Sequence, residues 1–410
     1  MTNDSSQSRS LLRRSSPFFQ DRFAHLGAIE RKRIPPTPAD ALRLHRLERP
    51  EPWERELADE IWRTQPPFNW YPDYAAFHRR LAEFWGVSPD RLVMGAGIED
   101  LIRTLFILCV GDRGSGFGIR EEDPENRKPR TENRDQVAFT WPTCAMFDVY
   151  ARVFGAEAVH LSVRPDEPHE AFHAVAERIE ACDRLKLVIL SNPGQPVETC
   201  FNAEEIIALA HRCRRLGAVL AIDEAYYGFG APTAARVALS FDNVVVLRTF
   251  SKAFGGAALR VGFAVGLPTV IGAMDAIRLS GELAGPSMHA ASVLMDRWES
   301  HVEPGIRAVC EGRDRLRKRM IEDGFKASGS LANHLLIELE DAAIAADVGR
   351  KLWDAGTRVK FGFPAPVDRH LLVTCGSPSV MARFYDLFRE QMSDDRGRIA
   401  GSRAALSSVL

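Results

Sequence analysis

The chain reads as an α/β protein, a mostly parallel sheet covered by helices. Three observations carry this. Leu187-Val-Ile-Leu190 and Val219-Leu-Ala-Ile222 are apolar runs of strand length without polar alternation, as expected of strands buried on both faces. Between them, residues 203–216 place apolar side chains at Ile206, Ile207, Leu209, Ala210 and Cys213, a helical spacing. After a loop comes a third apolar run, Val244 to Leu247. Strand, helix, strand, loop, strand implies parallel pairing through right-handed crossovers.

Each of these strands ends in a polar group. Asn192 follows the first, Asp223 ends the second, and Lys252 lies just beyond the third. The carboxyl edge of an open α/β sheet is where such folds bind ligands. Lys252 sits in Arg248-Thr-Phe-Ser-Lys-Ala-Phe-Gly-Gly-Ala-Ala-Leu-Arg-Val-Gly262, among small and hydroxyl residues and eight positions before Arg260. A lysine amine near apolar groups and other cations has a lowered pKa and can form a Schiff base. Thr249 and Ser251 offer hydroxyls, and Arg260 offers a fork suited to phosphate. An aldehyde partner beside an anion cradle is what pyridoxal phosphate needs. Asp223 would then keep the pyridine nitrogen protonated, so that the ring acts as an electron sink. Asn192 and Tyr226 would bond the ring hydroxyl, and Lys252 would hold the cofactor and shuttle a proton. Singly, each residue has an ordinary reading: a surface lysine, a turn acid, a half-buried core tyrosine. Their convergence on one edge argues otherwise.

The motifs Ser191-Asn-Pro-x-x-Pro196, Asp223-Glu-Ala-Tyr226 and Arg248-Thr-Phe-Ser-Lys-Ala-Phe-Gly255 resemble those of the fold-type I pyridoxal-phosphate aminotransferases of class I/II. Within them the chain is most similar to the histidinol-phosphate aminotransferase branch, from about residue 44 to about 392. The resemblance implies a large cofactor domain followed by a smaller α+β C-terminal domain, and a homodimer with active sites at the subunit interface. It implies transfer of an amino group between an amino acid or amine and a keto or aldehyde acceptor in small-molecule metabolism. The alternative is a decarboxylase, cyclase or lyase on the same scaffold. A non-catalytic cofactor-binding protein is disfavoured by the presence of Lys252, Asp223, Asn192 and Arg260 together.

Further positions follow from the resemblance. Tyr71 matches a tyrosine that reaches the cofactor phosphate of the neighbouring subunit. Gly97, Ile98 and Glu99 match the family's phosphate turn, and here glycines would admit the backbone while a following helix, Ile98 to Leu108, offers free amides and its dipole. Asn333 matches an asparagine that begins a C-terminal strand, for which a structural role is the simpler reading.

The departures bear on substrate. Where the family has a tyrosine stacked on the cofactor ring, this chain has Cys144, which leaves Trp141 or Phe147 to compensate, or the ring face open to substrate. The glycine-rich end of the Asn-Pro motif is altered to Val197-Glu198. The arginine that clamps the substrate α-carboxylate is replaced by Leu372, a side chain unable to make a bidentate charge-assisted contact. Three readings stay open: a substrate without that carboxylate or turned differently, a substitute arginine such as Arg369, or different pyridoxal chemistry. A second anion-binding arginine appears as Lys360, a point donor without the fork. These losses count against histidinol phosphate as substrate.

The 410 residues suffice for two domains, and a net charge of −2 gives no case for nucleic acid or membrane binding. The seven cysteines are scattered, with no Cys-x-x-Cys pair, so no metal or disulfide framework is expected and a reducing, cytoplasmic setting is the simpler account. The N-terminus lacks the apolar core of a secretory signal. The expected organisation is an arm over 1–53, a large cofactor domain over 54–285, a small domain over 286–392 and a disordered tail over 393–410. Residues 112–136 form an insertion of roughly twenty residues, long for a loop. It would be a lid, an interface element or a plain surface loop. A helix from Gly305 to Asp323 should carry many arginines on a solvated face.

Overall fold

The computed structural model describes residues 36–111, 134–166, 171–279 and 281–407, with side chains described as far as residue 392. Most of the N-terminal arm, and residues 112–133 of the expected insertion over 112–136, lie outside the described residues; Gly111 and Asp135, on either side of them, are joined by a 2.9 Å hydrogen bond.

Among the described residues the strands are β1 (Leu42–Leu44), β2 (Leu92–Gly95), β3 (Gln136–Trp141), β4 (Glu157–Ser162), β5 (Leu185–Ser191), β6 (Val219–Asp223), β7 (Val244–Thr249), β8 (Gly262–Gly266), β9 (Lys326–Ser328), β10 (His334–Glu338), β11 (Thr357–Val359) and β12 (His370–Thr374). Seven form one sheet in the order β2-β8-β7-β6-β5-β3-β4. The five from β7 to β4 pair in parallel, and β8 runs antiparallel to both its neighbours. The three apolar runs that imply parallel pairing are the interiors of β5, β6 and β7. Their continuity reflects burial of both faces. Val137, Phe139, Leu187, Ile189, Ala221, Val245, Leu247 and Ala264 pack to one side, against the helices Ile98–Cys109 and Pro268–Ile277. The alternate residues, among them Val188, Leu190, Leu220, Ile222, Val244 and Val246, face the larger core on the other side.

The helix between β5 and β6 runs Ala203–Arg215, one residue shorter than its apolar spacing predicts. Asn202 and Glu205 start it with a reciprocal capping box, at 3.0 and 2.8 Å, and three arginines in its last turn complement the helix dipole.

Beyond the large sheet, β12-β10-β9 form an antiparallel sheet and β1 pairs in parallel with β11. Glu198, in the altered end of the Asn-Pro motif, joins the two sheets. Its carboxylate accepts the backbone N–H groups of Ser330 (2.6 Å), Leu331 (2.9 Å) and Ala332 (3.0 Å), plus the Ser330 hydroxyl (3.1 Å). An anion in a nest of amides makes strong, charge-assisted bonds, and this explains an acid where the resemblance leads one to expect small residues.

The long helix spans Glu303–Glu322, with Arg307, Arg315 and Arg319 exposed; Arg313 is buried and donates to the carbonyls of Phe229 (3.0 Å) and Ala332 (2.7 Å), holding helix, loop and strand together. One expectation needs correction. The final helix, Pro378–Ser407, continues past residue 393, where a disordered tail is expected, through a segment containing the helix formers Arg and Ala.

Behind the sheet edge lies a buried ion pair. Arg248 Nε donates to Glu224 (3.0 Å), and the guanidinium carbon lies 3.8 Å from the Tyr227 ring centroid and 4.6 Å from that of Trp85. Breaking a buried pair strands the remaining charge. Arg248→Met should therefore cost about 3–5 kcal/mol, read as a lowered urea midpoint. An unchanged midpoint would contradict this account of the pair.

Candidate active site

The carboxyl ends of β5, β6 and β7 lie side by side, with Ser191 opposite Asp223 and Asp223 opposite Leu247. The antiparallel β8 begins at the same edge, where Gly262 pairs with Thr249 on one side and with Gly95, the end of β2, on the other. This topology brings Asn192, Asp223, Lys252, Thr249, Ser251, Arg260 and Gly97 to one place.

The anion cradle is built on two glycines. Gly97 has φ +80° and caps the helix Ile98–Cys109, so the free amides of that helix open at the edge. A Cβ on Gly97 would stand 2.6 Å from Arg260 Nη2, and one on Gly262 would stand 2.7 Å from the Gly97 carbonyl carbon. Arg260, itself left-handed at φ +55°, donates to Ser251 Oγ at 3.3 Å. Thr249 Oγ1 lies 2.9 Å from Ser251 Oγ and 3.1 Å from the Val261 carbonyl. Asp100 braces the turn, accepting from the Ala96 amide (3.1 Å) and pairing with Arg103 (2.7 Å). Hydroxyls, guanidinium and helix amides thus converge on one concavity, and a phosphate fits that donor set. Glu99 is exposed beside it and accepts from the Tyr150 hydroxyl at 3.1 Å.

Lys252 is half-buried, and its amine donates to the Arg46 carbonyl at 3.1 Å. Burial, aided by the nearby Arg260 charge, lowers its pKa to about 8, against the opposing pull of Glu48, Cys144 and Asp223. Asp223 is buried, which raises its pKa to about 6 despite the Ala225 amide on Oδ1 (3.0 Å) and the Lys252 charge. Burial also raises Tyr226 well above the ordinary tyrosine value, helped by Asp223 and Cys144, so its hydroxyl stays protonated. Asn192 spends its oxygen on the Phe201 amide (2.7 Å) and one N–H on the Phe201 carbonyl (3.1 Å), which fixes the side chain and leaves a second N–H.

Cys144 stands at the N-terminus of the helix Ala145–Val153 with its surface exposed, and the packing around its thiol raises the pKa. Neither aromatic weighed as its substitute is free to move there. Trp141 is stacked on His160 at 4.3 Å with rings 4° apart, and Phe147 is fully buried against Phe139. Tyr71 is 97% exposed among the described residues.

On the C-terminal side, Leu372 is buried on β12 and bridges through its backbone to Lys360, at 3.1 and 2.8 Å. Lys360 is exposed, with its ammonium 5.3 Å from the Phe363 ring centroid. Asn333 is buried and donates to the Leu47 carbonyl at 3.0 Å, while its side-chain oxygen has no hydrogen-bond partner among the described residues. Arg369 does not stand in for the lost arginine. It pairs with Glu338 at 2.9 Å and lines a separate groove of about 730 Å³ with Lys326 and His370, which contains none of the residues around Lys252.

Sequence reasoning missed the segment 46–48. Arg46 presents its carbonyl to Lys252, and Glu48 lies close enough to favour the charged amine. Leu47 has φ +58°, rare for a branched residue, at a cost of roughly 1–3 kcal/mol. Two buried side chains hold it there: the Leu47 amide donates to Thr374 Oγ1 (2.9 Å), and its carbonyl accepts from Asn333. The sequence gives no sign of this, because nothing marks a leucine for a left-handed turn. His334 was also missed. It is buried, packs edge-on to Tyr226 at 5.4 Å, and is kept neutral by burial, with a pKa of about 3.

Comparison with known proteins places the chain in a family. The family model described as aminotransferase class I and II matches residues 46–386. The chain belongs to that family and is a pyridoxal-phosphate-dependent aminotransferase, which favours amino transfer over the decarboxylase, cyclase or lyase alternative. A histidinol-phosphate aminotransferase of Desulfitobacterium hafniense is 28% identical over 321 residues, 77% of this chain and 81% of that one. An aromatic amino acid aminotransferase of Corynebacterium efficiens is 30% identical over 277 residues, 64% of this chain and 74% of that one. The crystal structure of histidinol-phosphate aminotransferase from Sinorhizobium meliloti, in complex with pyridoxal-5'-phosphate, has the same fold, with a TM-score of 0.71 at 21% identity over 85% of this chain and 91% of that one.

The lowered pKa of Lys252 has a kinetic consequence. Only the neutral amine attacks an aldehyde. The rate at which cofactor-free protein takes up pyridoxal phosphate should rise with pH and level off above about 8. A rate still climbing steeply toward pH 10, as for an ordinary lysine, would contradict the burial assigned to this amine.

Proposed function

We propose that the chain moves an amino group from an amino acid or amine donor to a keto or aldehyde acceptor, with Lys252 as the cofactor-bearing and proton-shuttling amine. The observation that carries this is the placement of Lys252, the buried Asp223 and the Gly97–Ser251–Arg260 cradle at one sheet edge. When bound, pyridoxal phosphate supplies the electron sink for the reaction. Asp223, with only Oδ1 engaged by an amide, offers its carboxylate to the pyridine nitrogen. The second N–H of Asn192 and the hydroxyl of Tyr226 donate to the ring oxygen. Gly97, Ile98 and Glu99 give backbone amides, and Thr249, Ser251 and Arg260 give side chains, to the phosphate. Cys144 borders the ring face without covering it. Lys360 supports the acidic part of the substrate, Asn333 holds the neighbouring backbone, and Leu372 adds an apolar wall. Histidinol phosphate itself is not favoured, because neither position 372 nor position 360 carries an arginine.

The working unit in this reading is a homodimer in the cytoplasm. Trp62, Phe68 and Trp70 are 64–68% exposed in one short stretch with Tyr71, an apolar area suited to a protein interface. Tyr71 would cross that interface to the partner's phosphate. The proposed domain division is the arm over 1–53, the cofactor domain over 54–285 and the small domain over 286–392, with 112–136 as an insertion.

The test is a panel of amino acids and amines mixed with cofactor-loaded protein, with visible spectra and mass analysis of cofactor and product. Conversion of the cofactor to pyridoxamine phosphate with release of the matching keto compound or aldehyde is expected, and Lys252→Ala should lower turnover at least about 100-fold. Product formed with the cofactor unchanged and the substrate carboxylate lost would overturn the reading. Sedimentation of the holoenzyme should give twice the 45.7 kDa chain mass, and a monomer at working concentration would remove the shared site.

A further inference from the structure

Segment 46–47 is fixed at three points around the reaction site. The Arg46 carbonyl receives the Lys252 amine at 3.1 Å. The Leu47 amide is held by Thr374, two residues beyond Leu372 on the same strand. The Leu47 carbonyl is held by Asn333, whose own carbonyl accepts from the Cys375 amide. The left-handed turn at Leu47 therefore places Arg46 between Lys252 and the end of β12. Strain of this kind persists where surrounding contacts over-determine it, and it clusters at functional sites.

Arg46 is suited to its place. Its side chain is exposed, and among the described residues its guanidinium makes no hydrogen bond or ion pair, unlike Arg43, Arg49, Arg260 and Arg369. It extends from the residue whose carbonyl touches the reacting amine, so substituents on the carbon bearing a substrate amine fall within its reach. Lys360 lies beside Leu372 through their paired backbone bonds. A planar fork reads a carboxylate in two parallel hydrogen bonds, which an ammonium cannot do.

We propose that Arg46 is a specificity-determining residue that seats the substrate's α-carboxylate, beside Lys360, in place of an arginine at 372. The proposal deepens the aminotransferase reading and rests on it for the location of the substrate amine. It commits the donor to an amino acid rather than a simple amine, and it makes the N-terminal segment part of the substrate site.

Equilibrium binding to the cofactor-loaded protein tests it, independently of turnover. The probes are acid–amine pairs that differ only in the carboxylate: phenylalanine and phenylethylamine, histidine and histamine, leucine and isopentylamine. Wild type should bind at least one acid more tightly than its amine. For that pair, Arg46→Ala should raise the acid's Kd about 10- to 100-fold, the loss expected for a charge-assisted hydrogen bond, and shift the amine's Kd less than about twofold. Arg46→Lys should recover part of the loss, with all variants matching wild type in cofactor content and thermal midpoint. Wild type that binds every amine as tightly as its acid would overturn the proposal. So would an Arg46→Ala protein that keeps the acid's affinity within twofold, or loses acid and amine affinity equally. Failure of amino transfer is separate: it shows as an absent keto product while the preference for acids persists.

Discussion

The structure depends on one steric constraint, the approach of the Gly97 backbone to β8 at Gly262, where a side chain on either glycine would collide with its surroundings. That approach sets the start of the helix Ile98–Cys109 against the sheet edge and leaves Arg260 beside it. The amides, the guanidinium and the Ser251 hydroxyl then face one concavity. Because β5, β6 and β7 end in register beside it, backbone pairing fixes Asp223 at that edge, and Lys252 follows just past the end of β7. Sites carried on rigid elements keep their geometry when substrates change, which suits a scaffold that hosts several reactions.

Electrostatics follow from the same burial. The edge is closely packed, so Asp223 and Lys252 are each pushed toward neutrality, to about 6 and about 8. Each opposes the other's shift, and a ligand bearing a protonated ring nitrogen would favour the ionised Asp223. A few residues away the same low-dielectric setting is used structurally: Glu224 and Arg248 are buried as a pair, sandwiched by Tyr227 and Trp85. Neighbouring residues in Asp223-Glu224 thus divide the proposed chemistry and the scaffold between them.

Much of the fold was legible because strands buried on both faces must be apolar throughout, and β5, β6 and β7 are. The polar residues that end those runs were legible for the same reason, since a charge tolerated there needs a partner. The absence of charge at Leu372 could be read directly, but what replaces it could not. Arg46 lies more than three hundred residues from Leu372 in the chain, and its position depends on a left-handed leucine and on hydrogen bonds from Thr374 and Asn333. Likewise, nothing local shows that Trp141 is covered by His160, or that Arg313 is buried among carbonyls. Glu198 looked like an eroded motif, whereas it fastens one sheet to the next.

The central claim is that Lys252 is the amine that bears the cofactor. Borohydride reduction of the cofactor-loaded protein, followed by peptide mapping, tests it most directly. The account predicts one modified lysine, Lys252, carrying the added cofactor mass. Label on another lysine, such as Lys360, or on none, would contradict it.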